Sequence, residues 1–326
     1  MNNQNQNDWD NIIKMDFVAD LRETIIQHFI DNGFSISPEC FEQFDAMRFF
    51  TLHFDYFNQA ITHEAREVLL SKELTQKLKI LPTGIHIAFK KLYELVENGQ
   101  DLSKFQSRSR KKKITLKTNY SKRNYQYQLY GITHLRLPDN SNYVLFAIFK
   151  DRTSYFIDIT EHKEVDWSAR TLINIVEKNW PEIISLYKLD GTMKLASPLT
   201  DNAIHCLAKR GINTVIETDG GVYLPPGVGM QADGSSTISS LKATRLYNEA
   251  RLCEIFLQEN YNDIIFLIKN HCNKTHKILP NPLEFRYSYI EILGGFVAVE
   301  QNSKICYVPR TNQWYAINDC TPQAST

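Results

Sequence analysis

GITHLRLPDNSNYVLFAIFKDRTSYFIDITEH, residues 131–162, is the stretch on which the fold turns. Its centre, Tyr143-Val144-Leu145-Phe146-Ala147-Ile148-Phe149, is a continuous apolar run. Pro138-Asp139-Asn140 precede it and Lys150-Asp151-Arg152-Thr153 follow it, both with the chemistry of turns. A short apolar run bounded by turns reads as a strand buried on both faces. Residues 154–159 supply the next strand and 132–137 the one before. Three strands joined by short connections form an antiparallel meander. Tyr125, Tyr127 and Leu129 alternate with polar residues and carry the β reading back to 125.

Upstream the period changes. Phe17, Leu21, Ile25 and Phe29 recur every fourth residue and draw one apolar stripe on a helix. Gly33 reads as its C-cap and Ser37-Pro38 as the next N-terminus. Cys40, Phe44, Met47, Phe50 and Phe54 continue at helical spacing, and 65–79 and 85–96 complete a helical bundle. Downstream, 167–186 reads as helix, with Pro181 breaking it or opening a second one. A short helix from Thr200 to Arg210 follows, then a hairpin around Asp219-Gly220-Gly221. A Gly/Ser-rich loop at 225–236 leads into helices at 237–260 and 263–270, and 284–317 alternates as a second meander. The expected class is α+β in three parts: a helical domain at 1–100, a basic segment with the sheet at 101–190, and a mixed unit at 191–326.

Composition bounds the function. The 326 residues carry 37 basic and 37 acidic side chains, with 43% hydrophobic and 23% charged, which excludes a wholly disordered chain. The apolar runs are too short to span a bilayer. Residues 1–7 are polar and lack the pattern of a secretory leader. Six cysteines stand without a CxxC pair, so they read as reduced thiols in a cytoplasmic protein with no membrane partner. His271-Cys272 with His276, and Asp158 with Glu161, are the nearest approaches to metal spacing. Neither completes a ligand set, and no metal or other cofactor is expected.

The charge is not evenly spread. Between Asp101 and Asp139 stand Lys104, Arg108, Arg110, Lys111, Lys112, Lys113, Lys117, Lys122, Arg123 and Arg136, with no acidic residue among them. Tyr120, Tyr125, Tyr127 and Tyr130 are interleaved. Cations neutralise phosphates and release counterions. Tyrosines stack on unpaired bases, worth roughly 1–3 kcal/mol each. The pattern points to RNA or DNA; a solvated linker, or docking on an acidic partner, gives the same run.

The helix, basic segment and three-stranded meander ending in Glu161-His162-Lys163 resemble the RelE/ParE toxin superfamily over residues 80–165. Those toxins are small ribosome-dependent mRNA endonucleases or gyrase poisons whose sheet ends in a short basic or histidine motif. The whole chain is also similar to bacterial proteins of accessory genomes, where toxin and phage-defence genes gather. Asn142-Tyr143 stands where the superfamily has a basic residue at the start of the second strand. The resemblance implies a ribonuclease and a partner antitoxin. His134 or His162 would serve as base or acid, Arg136, Lys150 and Lys163 would stabilise charge, and Tyr130 or Tyr155 would stack on a base. His134 and Arg136 are two apart in a strand and share a face, with Leu135 and Leu137 turned to the core.

Gly227-Val228-Gly229, with Gly234 and Ser235 before a helix, could cradle a phosphate on backbone amides. It lacks the GxxxxGK[ST] pattern. Three functions follow as expectations. The first is a nucleic-acid-directed effector with ribonuclease chemistry. The second is a non-catalytic interaction protein, and the third a nucleotide-binding enzyme at the Gly-rich loop.

Overall fold

Phe17, Leu21, Ile25 and Phe29 are all buried along helix α1, Phe17–Asp31, in a computed structural model of the chain. The structure describes residues 13–106, 113–116, 118, 125–138, 142–162, 170–191, 194–290, 293 and 295–317. Strand β1 is Ile13–Lys14 and β2 is Ser35–Ile36; helix α2 is Pro38–Gln43 and α3 is Ala46–Phe57. Next come β3 (Glu67–Leu70), α4 (Lys72–Leu78), α5 (Thr83–Glu97), β4 (Lys113–Ile114) and α6 (Tyr125–Tyr130). The central strands are β5 (Thr133–Arg136), β6 (Tyr143–Lys150) and β7 (Thr153–Glu161). Helices α7 (Thr171–Asn179), α8 (Pro181–Ile184) and α9 (Asp201–Ala208) lead to β8 (Ile216–Glu217) and β9 (Val222–Tyr223). Helices α10 (Thr237–Glu259) and α11 (Tyr261–Thr275) precede β10 (Leu283–Ile290), β11 (Gly295–Glu300), β12 (Ile305–Val308) and β13 (Gln313–Ala316). The fold is α+β.

Contacts group the chain into two units: the described residues up to Phe50 with those from Lys242 on, and Thr51–Leu241. This grouping differs from the linear division at 100 and 190, which followed composition. In the first unit β10–β13 form an antiparallel meander, and β1 adds to it parallel to β10. Helix α1 lies on this sheet. The Phe17 ring stacks on Tyr287 at 5.0 Å. Asp20 accepts from Arg286 Nη1 at 2.7 Å and from the Tyr287 amide at 2.8 Å. Val297, Val299, Cys306 and Val308 form a core on the sheet, and Phe256 of α10 stacks on Tyr307 at 4.6 Å.

The second unit holds a four-stranded sheet in the order β3-β7-β6-β5. Strands β5, β6 and β7 are the antiparallel meander read at 131–162; β3 adds parallel to β7, from Glu67↔Thr153 to Leu70↔Phe156. Both faces are buried. On one, Leu135, Leu145, Phe156 and Ile159 pack with Leu74 of α4 and Phe89 and Leu92 of α5. On the other, Val144, Phe146 and Ile157 pack with Leu172 and Val176 of α7 and Ile204 of α9. Burial contributes roughly 1.5–3 kcal/mol for each such side chain. This explains why 143–149 is apolar without alternation.

Three expectations change. The helices of 9–99 do not form one bundle, because α1 covers the five-stranded sheet and α5 covers the four-stranded one. The segment 65–79 is not one helix. Val68, Leu69 and Leu70 are drawn into the sheet by pairing with β7. Ser71 then caps α4, accepting from the Leu74 amide at 2.9 Å while its hydroxyl donates to the Ile157 carbonyl at 2.6 Å. Residues 125–129 are helix rather than strand. Gln126, Gln128, Leu129 and Tyr130 are all buried, so the alternation did not separate a wet face from a dry one. Gly131 ends this helix at φ 70°, its amide bonding to the Tyr127 carbonyl at 2.9 Å.

Candidate functional site

Register sets one end of the central sheet. Arg136 pairs with Val144 and Tyr143 pairs with Glu161, so the end of β5, the start of β6 and the end of β7 lie together. The His162 amide bonds to the Asn142 carbonyl at 2.7 Å, and the Tyr143 hydroxyl donates to Glu161 Oε1 at 3.2 Å. His162 stands exposed just past β7. His134 and Arg136 point to one face, as their spacing requires.

That face is not open, which corrects the expectation of an exposed pair. His134 is 8% exposed and Arg136 is half-buried, because the helices from 171–208 cover the neighbouring Val144 and Phe146. Burial pushes the His134 imidazole down to about 4, with the nearby positive charges of His162 and Arg136 acting in the same direction. These three residues therefore feel one another. At neutral pH His134 is an uncharged ring beside a permanent cation, with an exposed second imidazole within electrostatic reach. Lys163 lies outside the described residues.

Most of the basic segment is likewise outside them: Arg108, Arg110, Lys111, Lys112, Lys117, Lys122 and Arg123. Lys113 is exposed on β4. Tyr125 begins α6, and its side chain lies outside the described residues. Tyr130 is 1% exposed and belongs to the core with Leu129 and Ile132, so its ring is not open to a base.

The Gly-rich loop is packed onto the end of α6. The Gly227 amide donates to the Leu129 carbonyl at 2.9 Å and the Gly229 amide to the Gln128 carbonyl at 2.9 Å. A Cβ on Gly227 would stand 2.3 Å from the Tyr127 and Gln128 carbonyl oxygens, so only glycine fits that approach. The Gly234 amide bonds to Gln231 O at 2.9 Å. Ser235 is fully buried, and both its amide and its hydroxyl bond to Asp233 Oδ1, at 2.9 and 2.7 Å. The Ser236 amide goes to Asp55 Oδ1 and the Thr237 amide to Gly229 O. All these donors, expected for a phosphate, are bonded to protein acceptors.

Asp158 does not offer a cation site either, because Lys77 Nζ bonds both its oxygens at 2.8 and 2.9 Å. Among the described residues no group of three metal-ligating side chains comes together. Among them, too, no helix is long and apolar enough to cross a membrane.

Sequence reasoning missed a cavity of about 150 Å³ at the opposite end of the same sheet. It is lined by Gln59, Arg66, Tyr127, Thr133, Phe149 and Asp151 among others. Arg66 is 6% exposed and closes one wall. Its Nη1 donates to the Thr62 carbonyl at 2.8 Å, its Nη2 to Glu64 Oε1 at 2.6 Å, and its guanidinium lies 5.6 Å over the Phe149 ring. The Thr62 hydroxyl, helped by the Arg66 charge, holds the Glu64 carboxyl below its ordinary range against the opposing effect of desolvation. Gln59 and Thr133 are 9% and 5% exposed, and their side chains have no hydrogen-bond partner among the described residues. No motif marks these positions; only the folding of 58–66 against α6 and β5 assembles them. Comparison of the chain with family models, with curated proteins and with solved structures returns no match.

Proposed function

We propose that the protein is a cytoplasmic, nucleic-acid-directed effector that applies the His134–Arg136–His162 end of its central meander to an RNA phosphodiester, in a toxin or phage-defence role. The observation that carries this is the grouping of two imidazoles and a guanidinium at one sheet end, where the charges of His162 and Arg136 add to the burial that depresses His134. Cleavage of RNA by its own 2′-hydroxyl needs a group that takes that proton, a cation for the phosphorane charge and a group that returns a proton to the leaving 5′-oxygen. His162, exposed, is the imidazole a substrate reaches; it takes the 2′-hydroxyl proton, and solvent water supplies the proton to the leaving 5′-oxygen. Arg136 supplies the cation. A group titrating at about 4 is poorly matched to proton abstraction at pH 7, so His134 acts behind them as a neutral positioning ring. The basic segment supplies sequence-independent affinity for the strand, and an antitoxin is the expected protein partner.

The burial of His134 favours a second reading, a non-catalytic protein whose basic segment docks RNA, DNA or an acidic partner. One assay separates the two. Purified protein is incubated with single-stranded RNA, and binding and cleavage are followed. The ribonuclease predicts cleavage that falls at least 100-fold in His162→Ala and in Arg136→Ala, as removal of proton transfer or charge stabilisation does. Intact RNA, bound with a steep salt dependence that weakens when Lys111, Lys112 and Lys113 become Gln, assigns the interaction protein instead.

A further inference from the structure

We infer that the cavity between the 58–66 segment, α6 and the start of β5 is a binding site for a single pyrimidine base. The volume, about 150 Å³, fits one ring. A cavity of that size in another protein, lined with apolar side chains, takes benzene. Here the lining is largely polar and asks for a ring with hydrogen-bonding edges. Gln59 offers a carboxamide, donor and acceptor side by side, and Thr133 a hydroxyl that does both. Both are more than nine-tenths buried, line the cavity and lack side-chain partners among the described residues. Their polar atoms are not sealed but stay reachable from the cavity, where a ligand can complete their hydrogen bonds. A Gln carboxamide pairs with the edge of a base, and a carboxylate accepts from an exocyclic amine. Asp151, exposed at the cavity, is placed to accept in that way. Phe149 and Tyr127 add aromatic side chains to the lining. Arg66 does not make this an anion site, because Glu64 already neutralises it.

The site does not depend on the ribonuclease reading. Base binding without cleavage keeps it and removes the ribonuclease; cleavage without base binding does the reverse. The test titrates the full chain with cytidine, uridine and adenosine, followed by ligand-observed NMR and calorimetry. The expected result is saturable binding of at least one pyrimidine nucleoside, weaker binding of adenosine, and a loss of at least tenfold in Thr133→Val and in Gln59→Leu. Neither variant should melt lower than the parent, since neither group holds up the fold. Absence of pyrimidine binding at millimolar nucleoside, adenosine binding as tightly, unchanged affinity in both variants, or a lower melting temperature for Thr133→Val overturns the assignment. A short single-stranded oligocytidylate distinguishes the source. If it binds no tighter than cytidine, the ligand is a free nucleoside; if it binds tighter and weakens with salt, the base arrives on a strand.

Discussion

The two units differ in how fully their buried polar groups are bonded. In the first unit the buried carboxylates are bonded at every turn. Glu300 is fully buried and accepts from the Ser303 amide at 2.6 Å, the Asn302 amide at 3.1 Å and the Glu284 amide at 3.3 Å. Glu254 takes the Phe17 amide and Arg251, each at 2.6 Å, and Asp20 ties α1 to Tyr287 and Arg286. In the second unit some buried polar groups are under-supplied, alongside well-bonded ones such as Ser71 and Ser235. Neither amide atom of Gln126, nor Gln128 Oε1, nor the Ser154 hydroxyl finds a partner among the described residues. The first pattern describes scaffold. The second unit carries both the histidine cluster and the cavity, and proteins place polar groups without partners where something else completes them.

The contrast breaks most visibly at Glu300. Replacing it by Ala strands two amides at close range and a third at longer range, and at roughly 1–3 kcal/mol for each unsatisfied buried donor the loss should reach about 3–5 kcal/mol. Urea unfolding of the full chain measures it. A loss under about 1 kcal/mol would mean that the turn relaxes to water and that the first unit is no better anchored than the second. Glu300→Gln keeps the volume and one acceptor oxygen and should fall between.

Next in size is the acid sensitivity set by His134. Its imidazole titrates at about 4 in the fold against 6.5 ordinarily, so the unfolded chain takes up the proton first as pH falls. Its share of stability is whole above about pH 6.5 and is lost as pH drops through about 4, a swing of about 3 kcal/mol. Burial raises the Glu254 carboxyl, and the stability tied to that group changes the opposite way, dropping as pH rises. The quantity to measure is therefore the difference between parent and His134→Leu from pH 7 to pH 4. The parent should lose more than the variant; parallel curves would mean that His134 is solvated and the sheet end open.

How much of this could be read from the chain varies by element. Strands β6 and β7 announce themselves, because an apolar run between turn residues has few other folds available; Asp151 sits in the turn between them at φ 50°. Helix α1 was legible for the same local reason. The parallel pairing of Glu67 with Thr153 was not, since no local pattern records a partner 86 positions away. Nor was the first unit, which joins described residues up to 50 with those from 242 on. At the sheet end, strand spacing put His134 beside Arg136 and the meander brought His162 to them. Their burial came from helices at 171–208, whose destination no residue near 134 encodes. The glycines at 227 and 229 were visible, but their purpose, close approach to the carbonyls ending α6, depends on a helix that the Tyr/Gln alternation disguised.

The smallest effect tests the other side of the contrast. Ser154 is fully buried and Gln126 is 1% exposed, and the hydroxyl of the one and the amide of the other have no partner among the described residues. A buried polar group with no bond costs free energy that an apolar group of similar shape does not. Ser154→Ala and Gln126→Met should therefore leave stability unchanged or raise it by about 0.5–1.5 kcal/mol. Polar-to-apolar exchange in the first unit, at Glu300 or Asp20, should do the opposite, because those groups hold amides in place. The two variants also separate two origins of the shortfall. If both gain stability, the second unit bears polar groups that its own fold does not use, as a ligand-dependent unit would. If Ser154→Ala loses more than about 1 kcal/mol, its hydroxyl is satisfied by water inside the sheet, and the difference between the units lies in hydration rather than in purpose.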